Sequence, residues 1–259
     1  MKALRARLLV SLALLVPAAA RAQFSMSNLL GNAQDTVSNL GRVAKGVNGI
    51  GPEEENVIGG SVALEIVSAY GGLVRDEAVV SRVNLVGKAL ARYSDRPELT
   101  WRFGVLKSAT VNAFSAPSGY VFITRGLYDR LGSDDALAGV LAHEVTHITR
   151  KHALKIVARG EFLAGASAIA SQQSTNFAKF DAGIGDITKT LLEKGFDPKT
   201  EFEADRGGRD LAALAGYAPG GLRGVLIQLQ STPAGTQAVF STHPPLAERI
   251  QRLPADPSA

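Results

Sequence analysis

The sequence predicts an α+β fold, mostly helical, with one small antiparallel sheet. Three observations carry that expectation. Apolar residues recur at spacings of three and four over most of the chain, the period of amphipathic helices. Only the stretch 100–124 alternates while concentrating aromatic and β-branched residues, so the strands are few and clustered. Helix start and stop signals punctuate the remainder, and no internal repeat competes with them.

Residues 1–22 stand apart. Lys2, Arg5 and Arg7 precede an apolar run from Leu8 to Val16 and a small-x-small ending, Ala20-Arg21-Ala22. That is the pattern of a secretory signal peptide cleaved before Gln23. No cysteine follows the cleavage site, which excludes a bacterial lipoprotein anchor. The apolar run is shorter than a bilayer span, which favours cleavage over the alternative of an uncleaved membrane anchor, and no transmembrane segment is expected in the mature chain. The leader also explains the charge. The whole chain has 28 Lys+Arg against 24 Asp+Glu, a net +4. Lys2, Arg5, Arg7 and Arg21 all fall in the leader, which has no acidic residue, so the chain from Gln23 onward is balanced. No nucleic-acid surface is expected of it. The absence of cysteine excludes disulfides, thiol catalysis, iron–sulfur clusters and cysteine-type structural zinc.

Residues 23–52 read as an N-terminal arm. Leu30, Ala33, Val37, Leu40, Ala44 and Val47 keep helical spacing, and Gly49-Ile-Gly-Pro52 ends the pattern. Residues 53–259 form one domain. Glu53-Glu54-Glu55 opens a helix that Gly71-Gly72 stops, and a second helix runs from about Asp76 to Tyr93. Three or four strands follow: Thr100–Leu106, 111–115 and 120–124, the last two joined by the turn Ala116-Pro-Ser-Gly119. Arg125-Gly-Leu127 leads into a short helix. The next helix, 134 to 150, is N-capped around Ser133 and buried on the side of Val140. The chain stays helical through His152, which reads as an ordinary helix residue, to Val157. Residues 162–170 suggest a close-packed buried helix and 171–198 a flap beside the cleft. A helix entered at Thr200 and another over 221–230 complete the domain, before Ser241-Thr-His-Pro-Pro245 and a short polar tail.

Chemistry concentrates in Leu141-Ala-His-Glu-Val-Thr-His147. His143 and His147, four apart on a helix, share a face and can hold one Zn²⁺, with Glu144 beside the water that completes the site. Such a site needs a third protein ligand. A histidine ten residues after His143 would serve, but that position is Ala153. A glutamate from a separate helix is the other solution. Glu201 suits it, with Asp205 one turn on to brace a ligand histidine. An acidic helix start facing solvent explains the same residues equally well.

The order of motifs adds a resemblance. His143-Glu-Val-Thr-His147, Glu201-Phe-Glu-Ala-Asp205 and Thr242-His-Pro-Pro-Leu-Ala-Glu-Arg249, preceded by Val111-Asn-Ala-Phe-Ser-Ala-Pro-Ser-Gly-Tyr120, resemble the HtpX/CAAX-prenyl-protease family of gluzincin metallopeptidases. The likeness runs from about Glu54 to Leu253 and is greatest to the soluble, exported bacterial branch. It implies a zincin-like fold with one Zn²⁺ per chain, held by His143, His147 and Glu201, and Glu144 as general base. It further implies His243 as a catalytic group beside the metal, where it steadies the oxyanion or closes the site in a latent state. Asp205 and Arg249 support the ligands. Asn112, Ala113, Phe114 and Ser115 form an edge strand along the active-site cleft that pairs with extended peptides. The chain departs from the family in lacking its multi-span membrane helices and the helical-repeat domain of some exported members. Gly207-Gly208 carries an extra glycine, an expected source of slack in the Glu201 helix.

The expectation is a periplasmic endopeptidase of a Gram-negative bacterium. Its substrates are extended protein or peptide segments of unfolded or misassembled envelope proteins, outer-membrane assembly proteins among the implied partners. The rival is a zinc-stabilised, chaperone-like binding factor that rarely cuts.

Overall fold

A computed structural model describes residues 50–158, 184–185, 188–231 and 243–255. The leader, the arm up to residue 49, the 162–170 helix and most of the 171–198 flap lie outside the described residues.

Helix α1 (Pro52–Ala69) begins where Pro52 supplies a fixed φ at the first helical position and the Glu54 carboxylate accepts the Gly51 N–H at 2.8 Å. It ends before Gly71 and Gly72, both at positive φ, where a side chain would be strained. Helix α2 (Glu77–Tyr93) is capped by Asp76, which accepts from the N–H groups of Ala78 and Val79. Its apolar stripe, Val79, Val83, Val86 and Leu90, is buried.

Strands β1 (Arg102–Leu106), β2 (Ala113–Ala116) and β3 (Tyr120–Thr124) form the sheet, in the order β1-β3-β2. It is mixed rather than antiparallel: β2 pairs antiparallel with β3, as expected, but β1 runs parallel to β3. Alternation of side chains is the same in both pairings, so the pattern of residues is silent on direction. Direction is set by the link 107–112, which carries the chain past the end of β3 so that the hairpin folds β3 into the middle. Thr124 fastens that end. Its buried hydroxyl accepts from the N–H groups of Asn112 (3.0 Å) and Leu127 (3.2 Å) and donates to the Thr110 carbonyl (2.6 Å). At the other end the buried Glu55 accepts both Arg96 guanidinium nitrogens (2.7 and 2.9 Å) and the Ser118 N–H (3.1 Å), tying α1 to the β2–β3 turn.

After the short helix α3 (Arg125–Tyr128) comes the central helix, α4 (Asp134–Thr149), capped by the Ser133 hydroxyl. It is not buried on one side only: every residue from Leu137 to Ile148 is buried. A helix apolar all round needs packing all round, and α4 has it, from α2, β2, α6 (Pro198–Leu214) and α7 (Gly221–Gln230). Glycines permit the approach. A Cβ on Gly139 would strike the backbone of Leu222, and one on Gly208 would lie 2.7 Å from the His143 nitrogen. Gly207 faces the Thr146 methyl group in the same crossing. The glycine pair therefore serves close contact rather than slack.

The helical run does not continue through His152. It stops at Arg150, Lys151 adopts a left-handed backbone (φ 54°), and α5 (His152–Ala158) restarts in a new direction. A π-helical turn (Thr190–Lys194) precedes α6, and α8 (Leu246–Arg252) closes the domain. One core cluster lies between α2, one face of the sheet, α4 and α7; another lies between α1, the opposite face and α5. Among the described residues no helix is long and apolar enough to cross a membrane.

Replacing Gly208 with alanine should cost about 1–3 kcal/mol, as backbone faces the new methyl. Gly224, exposed in α7 with open space around it, should give the opposite sign on Gly224→Ala, a gain of roughly 0.5–1 kcal/mol. Urea unfolding of both variants measures the pair.

Candidate metal centre

Helix α4 brings the Nε2 atoms of His143 and His147 to 3.0 Å from one another. Helix α6, started by Pro198 and the Asp197 cap, crosses at Gly208 and so presents Glu201 and Asp205, one turn apart, to that pair. The Glu201 carboxylate lies 3.5 Å from His143 Nε2 and 3.8 Å from His147 Nε2. His243, just before α8, places Nδ1 2.5 Å from Glu201 Oε2. One ligand atom each from His143, Glu201 and His243 lies within 4.8 Å of the others. Four donor groups from three separated segments thus converge.

The other imidazole nitrogens face outward. His143 Nδ1 donates to Asp205 Oδ1 at 3.0 Å. Arg249 grips the same carboxylate twice, Nη2 to Oδ1 at 2.6 Å and Nε to Oδ2 at 2.9 Å. Arg249 is 1 % exposed, so it is no solvent-facing helix-end residue. His147 Nδ1 meets His152 Nδ1 at 2.9 Å. With both Nδ1 positions engaged, two Nε2 lone pairs and a carboxylate point at one small volume. Such a set is repulsive unless a positive charge, a proton on one imidazole or a metal ion, sits among it. Glu201 Oε1, wholly buried, has no hydrogen-bond partner among the described residues, a cost of several kcal/mol that coordination removes. Tetrahedral bonds of about 2.0–2.1 Å place ligand atoms roughly 3.3 Å apart, within the observed spread. The residues fit a divalent metal.

Electrostatics of the metal-free cluster agree. Burial opposes charge on His143, yet hydrogen bonds to Asp205 and Glu201 prevail and raise its pKa to about 9. Burial, aided by His143 and His152, holds His147 well below the usual range. Burial would raise Glu201 and Asp205, but the facing imidazoles, and Arg249 for Asp205, keep both carboxylates ionised. Glu144 goes the other way: burial raises its pKa, only partly offset by nearby imidazoles and a hydrogen bond from the Ser115 side chain.

Glu144 borders a cavity of about 30 Å³ that is also lined by Ala113, Phe114, Ser115, Glu201 and His243. The β2 strand is an edge of the sheet, and it flanks this cavity. It is not exposed: Asn112, Ala113 and Phe114 are buried. Leu191, Leu192 and Phe196 line the same space, leaving room for water rather than peptide.

Helical period gives no reason to bring His152 to this site. On an unbroken helix a residue five beyond His147 sits about 140° around the axis. The turn at Lys151 swings His152 back, with burial holding it neutral near a pKa of about 4. Its Nε2 lies 3.6 Å from Glu203, and Phe196 stacks on the His147 ring at 4.3 Å. No local pattern marks any of these contacts.

Comparison with known proteins places these features in a family. Peptidase family M48 matches residues 77–256. The chain is similar to the metalloprotease YcaL of Escherichia coli, 31 % identical over 66 % of this chain and 67 % of that protein. It is 30 % identical to the mitochondrial metalloendopeptidase OMA1 of Schizosaccharomyces pombe, over 73 % of this chain and 57 % of the relative. To the beta-barrel assembly-enhancing protease of Escherichia coli it is 26 % identical, over 82 % of this chain but 43 % of the relative. It thus spans about two thirds of the first of these and less of the other two.

Arg249→Met strands the buried Asp205 carboxylate and should destabilise the protein by about 3–5 kcal/mol, read from denaturant midpoints. Chelator-stripped protein should lose stability as pH rises from about 6.5, the free imidazole value, through about 9, where folded His143 releases its proton. The folded state then binds more protons than the unfolded chain, so the slope is negative, with a total of up to roughly 3 kcal/mol. Urea titrations from pH 6 to 10 test this, and a flat or rising profile would count against the cluster.

Proposed function

The chain belongs to peptidase family M48 and is a metalloendopeptidase, and we propose that it is an exported zinc enzyme acting on unfolded or misassembled envelope proteins. The observation that carries the chemistry is the convergence of His143, His147 and Glu201 beside Glu144. Two imidazoles and a carboxylate favour zinc among divalent ions. Bound there, zinc supplies Lewis acidity toward the scissile carbonyl and makes a water easier to deprotonate.

The protein's own groups do the rest. Glu144, buried and with a raised pKa, takes a proton from the attacking water and returns it to the departing amine. Ser115 lines the same cavity and favours the charged form of that carboxylate. His243, beside Glu201, steadies the oxyanion. Asp205 and Arg249 hold the His143 ring in place. The edge of β2 pairs with the substrate backbone once the 190–196 segment withdraws from the cavity. Pairing through backbone hydrogen bonds asks little of sequence, as clearing misfolded chains requires.

The envelope assignment has separate support. The leader-like segment 1–22 favours export to the periplasm, and one relative is named for enhancing β-barrel assembly.

Glu144→Gln should lower kcat on an unfolded test protein by about 10²–10⁴-fold while metal analysis still finds one zinc per chain. Full activity in this variant would remove Glu144 from the mechanism. Preserved cellular function without cleavage would favour the chaperone-like role instead. Chelation should abolish cleavage, and stoichiometric Zn²⁺ should restore it.

A further inference from the structure

The two histidines of α4 are held by unlike partners, and the second partner has no role in the chemistry described so far. We propose that His152, backed by Glu203, is a positioning residue that accepts the Nδ1–H of His147 and so fixes the tautomer presenting His147 Nε2 to the metal. This inference rests on the reading of His147 as a ligand.

The geometry leaves one consistent arrangement. The two Nδ1 atoms are 2.9 Å apart, so one hydrogen lies between them. His147 Nε2 faces His143 Nε2 at 3.0 Å and Glu201 at 3.8 Å. For Nε2 to offer a lone pair there, the ring hydrogen must sit on Nδ1. His152 Nδ1 is then the acceptor, and its own hydrogen belongs on Nε2. That nitrogen is buried, has no partner within hydrogen-bond distance among the described residues, and stands 3.6 Å from Glu203 Oε2. Arg150 in turn stands 3.9 Å from Glu203 and 3.2 Å from Asp95. The series therefore runs from the metal position outward through two imidazoles to a carboxylate at the surface.

The surroundings hold the pair in register. The left-handed Lys151 turns the chain so that a residue five beyond His147 reaches its ring. The rings meet edge to face, with centroids 5.0 Å apart. Phe196 covers His147 face-on, at an interplanar angle of 16°, and touches His152 edge-on. His143 leans on the charged Asp205, whereas His147 leans on a neutral ring. A merely space-filling His152 would require none of this alignment, and an apolar side chain would replace it.

Full-length protein carrying His152→Asn keeps an acceptor near the Nδ1 position, and His152→Leu keeps bulk without one. Zinc affinity is measured by competition with a chromophoric chelator, and ligand geometry from the visible spectrum of the Co²⁺-substituted protein. His152→Leu should weaken zinc binding by about 10–100-fold and shift the Co²⁺ bands, the usual cost of losing such a partner. His152→Asn should stay within about threefold of the unaltered protein. Equal losses in both, or none in His152→Leu, overturn the proposal. Should His152→Leu fail to fold, Glu203→Ala at a half-exposed position decides: a several-fold loss of zinc affinity supports the relay, and unchanged affinity overturns it. An unaltered protein that binds no zinc would end the metal-centre reading itself, an outcome separable from failure of the His152 variants alone.

Discussion

Gly208 lies against the backbone of His143, and the chemistry depends on how closely α6 can cross α4 at that point. Helices with side chains between them keep axes about 8–10 Å apart. A glycine facing backbone removes one layer of that separation. Glu201 and Asp205 are then short enough to reach imidazoles on the neighbouring helix, at 3.5 Å and 3.0 Å. Gly139 permits the equivalent approach of α7 on another side of α4. A helix enclosed in this way has no solvent to neutralise its polar groups, so each of His143, Glu144 and His147 must find a partner inside.

That enclosure makes the centre a problem of charge. Glu201 is inaccessible and Asp205 nearly so. Asp205 is offset by Arg249, which is itself buried and held by two short hydrogen bonds. Glu201 faces imidazoles, one of them His243 from a distant segment. In the metal-free protein the protonated His143 answers the Glu201 charge at the convergence point, and a metal cation bound there would take that proton's place. Glu144 differs because burial beside the cavity outweighs the imidazoles near it, so its pKa is raised, which suits it to proton transfer.

The sheet contributes position rather than chemistry. Thr124 and Asn112 lock the entry to β2, and Glu55 locks the far turn through Ser118. Between those fixed ends β2 runs beside Glu144 as an edge strand. Leu191, Leu192 and Phe196 occupy the space next to it. The same segment brings Phe196 onto His147, so covering the strand and packing this candidate ligand are one contact surface.

Much of this was legible without coordinates because local rules decide it. Helical period, caps and glycine stops located α1, α2, α4, α6 and α7 closely, and the spacing of His143 with His147 is a property of any helix. Glu201 and Asp205 were recognisable as a pair on one face, and resemblance marked His243 and Arg249. Other features depend on how distant segments meet. Strand direction follows from the path of 107–112, burial of α4 on all sides from the glycines of its neighbours, and the Arg249–Asp205 pair from the docking of α8. His152 is the clearest case. Its distance along the chain from His147 argues against contact on a regular helix, and one left-handed residue reverses that, because a single backbone rotation redirects everything that follows it.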